Sequence, residues 1–353
     1  MAHLFSPLTI RGVELKNRVA VSPMCQYSST DGFANDWHLV HLGSFAIGGA
    51  GLIITEAAAI SPEGRITAAD LGIWKDEHIA DLLRVNNFIH QHGAVAGIQL
   101  AHAGRKASVA KPWEGGKQVS LLNGGWQTVS ASDLAFAEEQ EKPTELDAEG
   151  IAQVLEDFKQ ATYRAIKAGF KIVEIHAAHG YLIHQFLSPL SNHRTDEYGG
   201  TYENRIRLLM EVTDVVRSAW PEEYPLFVRI SATDWTPGGW TAEESVQLAS
   251  ILKSKGVDLI DCSTGGNVLK AQIPVGPGYQ VQFAEAVKAT GLLTGAVGMI
   301  TEPEQANQII KNDQADLVII AREFLRDPHF PLRAAHALDL EIKWPVQYER
   351  AKW

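Results

Sequence analysis

Eight short apolar runs recur along the chain, each separated from the next by a longer segment of helical period. This alternation limits the available folds more than any other feature. The runs are Arg18–Ser22, Gly51–Glu56, Val95–Leu100, Lys171–His176, Leu226–Ser231, Val257–Cys262, Leu292–Ala296 and Ala315–Ile320. Several are almost continuously apolar, as strands covered on both faces are. Between two of them, Ile151, Val154, Leu155, Phe158, Thr162, Ala165 and Ile166 fall on one helix face, and Gly169 follows as a stop. Thr241 with Glu244, and Thr301 with Glu304, read as capping boxes that open two further helices. Alternating strand and helix implies a parallel sheet. Eight repeats favour closure into a TIM-type (β/α)8 barrel, an α/β fold. An open sheet would carry a Gly-rich phosphate loop just after a strand. The densest glycine cluster, Gly48, Gly49 and Gly51, instead precedes a strand and suits a helix-to-strand turn.

Two stretches lie outside the eight units. Leu8–Val13 reads as a short N-terminal hairpin that caps the barrel bottom. Lys111–Pro143 is a long loop after the third strand, on the face where barrels place their active sites, and reads as a lid or pocket wall. The expectation is one barrel domain over residues 1–353. A net charge of −11 with no dense Lys/Arg cluster makes nucleic acid and anionic membrane poor partners. No apolar run is long enough for a transmembrane helix, and the N-terminus does not read as a secretory signal, so a cytoplasmic location is expected. Cys25 and Cys262 are too few for a four-cysteine zinc site or an iron–sulfur cluster. A disulfide between them is not expected in that compartment.

In a barrel, groups at the carboxyl ends of the strands face the ligand. Ser22 leads into Pro23, Met24, Cys25, Gln26 and Tyr27; the second run ends at Glu56–Ala57; the third carries Gln99, then His102, Arg105 and Lys106. The fourth ends in His176, His179 and Tyr181, the fifth carries Arg229, and the sixth leads into Ser263–Gly266. The seventh leads into Val297–Gly298 and the eighth into Ala321–Arg322, where barrels commonly bind phosphate. Two imidazoles can grip one oxygen and polarise a carbonyl. A phenol with an ordinary pKa of about 10 can deliver a proton near neutral pH. The rival readings of His176-x-x-His179 are a plain structural pair or a metal site. A metal would want a third ligand, and Glu174 is read as alternating off that face. Arg229 is either half of a buried ion pair with Asp261 or a fixed cation beside an anionic ring. Cys25 is a small buried hydrophobe or a functional thiol at the mouth. Cys262, within an apolar strand, reads as structural.

These residues sit in long motifs. They are QLAHAGRK (99–106), HAAHGYLIHQFLSP (176–189), SNHRTDEYGG (191–200) and Glu203-Asn204-Arg205, within a similarity running from Leu4-Phe5-Ser6-Pro7 to Tyr348-Glu349-Arg350. The chain resembles the Old Yellow Enzyme family, in its thermophilic-like branch with a cysteine beside the flavin. The resemblance implies non-covalent FMN and a nicotinamide donor, NADPH favoured over NADH. Ser22, Pro23, Met24, Cys25, Ala57, Gln99 and Arg229 would surround the ring, with Val297, Gly298, Ala321 and Arg322 near the phosphate. Cys25 would tune the flavin. His176 and His179 would bind a substrate carbonyl, Tyr181 would protonate its α-carbon, and Tyr27 would contact it. The substrate class would be activated alkenes. Arg350 would enter the neighbouring subunit's site in a homodimer or homotetramer. The branch has Gly-Arg after the last strand where this chain has Ala321-Arg322. Three alternatives stay open: reduction of nitro compounds or nitrate esters on the same flavin, a metal-dependent barrel hydrolase or lyase, and a non-catalytic flavin carrier.

Overall fold

Every one of the eight apolar runs pairs in parallel with two others, and the circle closes. The computed structural model describes residues 2–353. A hairpin, β1 (Leu8–Ile10) with β2 (Val13–Leu15), precedes the first barrel strands, β3 (Val19–Val21), β4 (Leu52–Ala59) and β5 (Val95–Ala101). The long excursion after β5 contains three single-turn 3-10 helices (Gly104–Lys106, Pro112–Glu114 and Leu121–Asn123) and a two-residue ladder, β6 (Val129–Ser130) with β7 (Thr144–Glu145). The barrel resumes with β8 (Ile172–Ala177), β9 (Leu226–Ser231), β10 (Leu259–Ser263), β11 (Leu293–Ala296) and β12 (Leu317–Ile320), and β12 pairs with β3. Helices α1 (Asp36–Ile47), α2 (Ile79–Gln91) and α3 (Ala148–Lys167) follow the early strands. Next come α4 (Leu182–Leu187), α5 (Tyr202–Arg205), α6 (Arg207–Ala219), α7 (Ala242–Ser254) and α8 (Val281–Lys288). The chain ends with α9 (Pro303–Lys311), α10 (Arg322–Arg326) and α11 (Phe330–Ala337).

Local chemistry explains the helix ends. Thr241 and Glu244 form the expected reciprocal cap on α7. Thr301 and Glu304 do not form theirs. Glu302 is the N-cap of α9, and Pro303 occupies the first helical position, where a missing N–H costs nothing. The Thr301 N–H bonds Gln305 Oε1 instead (3.3 Å). Gly169, at φ +81°, stops α3 as expected.

The barrel interior has a polarity gradient along the strands. On the inner face, β8 reads Ile172, Glu174, His176; β9 reads Phe227, Arg229, Ser231; β10 reads Leu259, Asp261, Ser263. The lowest layer is apolar and continues into Ile10, Val13 and Leu15 of the hairpin, which therefore plugs the barrel foot. Emptying this layer, as in Phe227→Ala, costs about 3–5 kcal/mol by analogy with other buried aromatics. The upper layers are polar and open onto the mouth. Side chains on a strand repeat every second residue, so Glu174 lies on the same face as His176. The reading that placed it off that face is corrected.

The C-terminal tail folds back on its own barrel. Trp353 stacks on His336 of α11 (ring centroids 4.5 Å apart), and Tyr348 meets His329 edge-on. Residues 344–347 lie against Lys16, His92 and Gly93, near the feet of β3 and β5. Arg350 is exposed there, on the opposite end of its own barrel from the mouth.

Candidate active site

The mouth is built around the turn after β8. His179 and Gly180 both adopt left-handed backbone, φ +57° and +72°, which is uncommon for a non-glycine residue. Three side chains hold it. Ser231 Oγ accepts from the His179 N–H (2.9 Å), Lys106 Nζ donates to the His179 carbonyl (2.8 Å), and His184 Nδ1 accepts from the Gly180 N–H (2.8 Å). His184 is braced in turn by Asp234 (3.0 Å), both wholly buried. A side chain on Gly180 would collide with the Gly266 carbonyl at 2.3 Å, and one on Gly266 with the backbone of His179. Glycine at both positions lets the loops after β8 and β10 pack backbone against backbone.

The turn brings His176, His179 and Tyr181 together. Their rings meet edge-on, His176 with His179 at 5.2 Å and His176 with Tyr181 at 4.9 Å between centroids. The Ala178 N–H donates to His176 Nδ1 (3.2 Å), which assigns the ring proton to Nε2 and makes that nitrogen a donor. His179 Nε2 and Ser263 Oγ share a 2.7 Å hydrogen bond. Burial first, then Arg229, holds both imidazoles well below the ordinary histidine range, so both are neutral near pH 7. Burial also raises the Tyr181 phenol well above its ordinary value. Its ring packs against the cluster of Ile66, Ala103 and Ala107, as do Cys25 and Tyr27, and lies beneath Lys106.

The remaining predicted residues line the same end of the barrel. Arg229 donates to Ser22 Oγ (3.1 Å) and pairs with Asp261 (3.2 Å), so the ion-pair reading of Arg229 holds whatever else it does. Gln99 Nε2 donates to Glu174 (2.7 Å). Gln26, after Pro23, Met24 and Cys25, is tied by its N–H to Glu56 (2.8 Å), which fixes the loop carrying Cys25 and Tyr27. Glu56 thus anchors the loop. Ala57 follows an irregularity in β4, which runs on to Ala59, past the expected end. Burial raises the Cys25 thiol well above its ordinary value, so it stays protonated. Cys25 and Cys262 are both free.

A cleft of about 250 Å³ opens beside the mouth, lined by Ser263, Val297, Gly298, Ala321, Arg322 and Arg326 among others. Arg326 is paired with Glu323 (2.7 Å), while Arg322 has no ion-pair partner among the described residues. Gly298 is at φ +121°. Ala321 is at φ −107°, so its backbone is not in the left-handed region that would call for glycine. A barrel floor with one guanidinium and one amide, joined to a cleft with a spare cation, suits a planar polar ring carrying an anionic tail. Among the described residues, no cluster of three His, Cys, Asp or Glu side chains is arranged to hold a metal.

The long loop after β5 bears on this mouth. Phe136 lies over Lys106 (4.5 Å), Trp113 meets Tyr27 edge-on (5.9 Å), and Arg105 donates to the Leu134 carbonyl (3.3 Å). Its roots are clamped by Arg194, which donates to the Ala131 and Leu146 carbonyls. Arg194 of the SNHRTDEYGG motif thus holds the two ends of this loop. Asp234 and His184 went unnoticed as supports, and Ser263 was placed at the mouth without a role. Only Ser263, in phase with Asp261 on β10, carried a readable signal.

Residues 3–341 match the model of the NADH:flavin oxidoreductase / NADH oxidase family. An NADPH dehydrogenase of Bacillus subtilis (strain 168) is 50% identical over 350 residues, covering 98% of each chain. Morphinone reductase in complex with tetrahydroNAD superimposes with a TM-score of 0.78 at 28% identity, covering 98% of this chain and 93% of that one. A 2-naphthoyl-CoA reductase, in complex with 2-naphthoyl-CoA, gives 0.86 at 26% identity, covering 95% of this chain. The chain spans about half (52%) of that longer protein.

Proposed function

The chain belongs to the NADH:flavin oxidoreductase / NADH oxidase family, the Old Yellow Enzymes, and we propose that it reduces activated carbon–carbon double bonds. Membership makes it an NAD(P)H-dependent flavin oxidoreductase with FMN as cofactor. The finer reading is an ene-reductase acting on α,β-unsaturated carbonyl compounds. NADPH is the favoured donor, since the relative at 50% identity is an NADPH dehydrogenase. The observation that carries the reading is the convergence of two neutral imidazoles and one protonated phenol on a single edge of the mouth.

FMN, when bound, supplies the hydride that the nicotinamide donor has delivered to it. Gln99, Arg229 and Ser22 offer the polar groups that would hold its ring, with Pro23, Met24, Cys25 and Ala57 alongside. Val297, Gly298, Ala321 and Arg322 would take the phosphate. The chain's own chemistry concerns the substrate. His176 Nε2–H and His179 bind a carbonyl oxygen and draw charge toward it, which makes the β-carbon electrophilic. Being neutral, they donate without adding charge that would trap the product enolate. Tyr181 holds a proton at Oη for the α-carbon, and Tyr27 and the lid exclude water. Arg350, remote from its own mouth, would complete the pocket of a second subunit in a homo-oligomer, where closed symmetric assemblies are the rule. Two free thiols accord with a cytoplasmic setting.

Titration with a phenol tests the imidazole pair. A bound phenolate mimics the polarised carbonyl and should give a long-wavelength band against the flavin. His176→Ala and His179→Ala should each weaken it, by about 10²–10³ on the scale of one lost oxyanion donor. Unchanged titrations in both variants would remove the carbonyl clamp from the account.

A further inference from the structure

Beneath the mouth the barrel buries two carboxyl groups against one cation. Glu174 and Asp261 are both wholly buried, and Arg229 is nearly so. Arg229 stands level with Asp261 on one side and with His176 on the other. Asp261 Oδ2 lies 3.2 Å from Arg229 Nε. Among the described residues, Glu174 touches no cation, and its one hydrogen bond comes from the neutral amide of Gln99. Three carboxylate oxygens of this layer, Glu174 Oε2 and both of Asp261, lack a hydrogen-bond partner. The groups facing the layer are Gln99 from β5, His176 above on β8, Arg229 from β9, Asp261 from β10 and Ser22 above β3. None supplies a second positive charge, since His176 is neutral.

A lone buried carboxylate is among the most costly groups a fold can hold, and such groups take up a proton instead. Here the choice between the two acids follows from contact: Asp261 has the guanidinium and Glu174 has not. We propose that Glu174 is carried as the neutral acid at neutral pH, so that the layer under the flavin has no net charge. Arg229 Nε, the one unpartnered donor of the layer, faces Asp261, and a proton on Glu174 turns one of the three orphaned acceptors into a donor. Burial first, and then the charge of Asp261, push the Glu174 carboxyl up, and Arg229 offsets only part of this. Glu174 thereby acts as a positioning residue. It steadies Gln99 and leaves the field of Arg229 above the floor unopposed by a second anion. The consequence for the flavin rests on the FMN reading given above: an ionised Glu174 would make the anionic reduced ring harder to form.

The test has two arms, both on the full-length protein as purified. Infrared spectroscopy at pH 7 should show a protonated-carboxyl carbonyl band in the wild type that Glu174→Gln removes. Asp261→Asn should also remove it, although Glu174 is still present, because Glu174 then ionises opposite Arg229. Potentiometry of the flavin should find Glu174→Gln within about twofold of wild type in the reduced-to-oxidised ratio at a fixed potential, since glutamine and neutral glutamic acid carry the same charge. A missing band in the wild type overturns the proposal. So does a band that survives in Asp261→Asn, or a tenfold or greater rise in that ratio in Glu174→Gln, equivalent to about 30 mV for a two-electron couple. Burial also raises Asp70, to about 7, so the part of the band lost in Glu174→Gln is what is assigned to Glu174; should that variant fail to fold, a wild type with no band still overturns the proposal. The band is read whether or not flavin is present, so a colourless protein whose band is lost in Glu174→Gln supports the proton on Glu174 and refutes the cofactor reading instead.

Discussion

Replacing Tyr181 by phenylalanine removes one oxygen and little else. The ring sits in an apolar nest of Ile66, Ala103 and Ala107, edge-on to His176 and under Lys106. No hydrogen bond to its hydroxyl is present to be lost, so phenylalanine keeps the packing, and stability should change by no more than about 0.5 kcal/mol. The chemistry should change far more. General acid catalysis is worth about 10²–10⁴-fold, or about 3–5 kcal/mol of barrel-mouth chemistry at 1.36 kcal/mol per decade. The loss should fall on one half of the turnover. Stopped-flow mixing with NADPH should show flavin reduction near the wild-type rate, while reoxidation by an enone slows by that factor. The pH profile gives a second reading. Burial raises the phenol above its ordinary value and depresses both imidazoles. Tyr181 therefore stays protonated as pH rises toward 9, and the imidazoles stay neutral as it falls toward 6. The wild-type alkene half-reaction should be flat across that window. Equal losses in both halves, or a profile with a break near pH 7 that Tyr181→Phe abolishes, would refute the assignment.

Three further outcomes are expected. Cys25→Ala should retain FMN but shift its reduction potential, because on the proposed reading a polarisable neutral thiol leaves the ring edge; unchanged potential and kinetics would return Cys25 to a packing role. Arg350→Ala should alter donor or substrate kinetics at full flavin content, and mixing it with Tyr181→Phe should restore part of the activity in mixed oligomers. A monomer by light scattering, or no recovery despite proven exchange, would confine Arg350 to its own chain. Gly180→Ala should lower yield or stability, since its methyl would meet the Gly266 carbonyl at 2.3 Å and its φ is positive; thermal melting indistinguishable from wild type would mean the two loops do not need that approach.

Much of the fold was legible because a strand buried on both faces needs an apolar side chain at nearly every position, and eight such runs are hard to miss. The helix ends were less so. Thr301 looked like a cap by residue type, but Pro303 set the start of α9. The cap on α1 is Asn35 with His38, a pairing outside the usual Ser/Thr-Glu pattern. At the site, the residues at the strand ends converge because all eight strands run the same way. Glu174 was misjudged by a parity error, with its two-residue spacing from His176 read as opposite faces. The supports His184 and Asp234 could not be paired from the sequence, since they stand 50 positions apart and meet only when α4 packs beside the loop after β9. Arg350 was assigned to a neighbouring subunit's site by the resemblance alone. Within one chain the tail's aromatics stack on α11, which leaves Arg350 exposed at the barrel foot.

The most direct measurement is an anaerobic one. Purified protein should be yellow, release one FMN per chain on denaturation, and bleach on addition of one equivalent of NADPH. Mixing the bleached protein with cyclohex-2-enone should restore the yellow colour and yield one equivalent of the saturated ketone. Flavin that stays reduced in the enone, yet is reoxidised at once by a nitro compound or nitrate ester, would contradict the account.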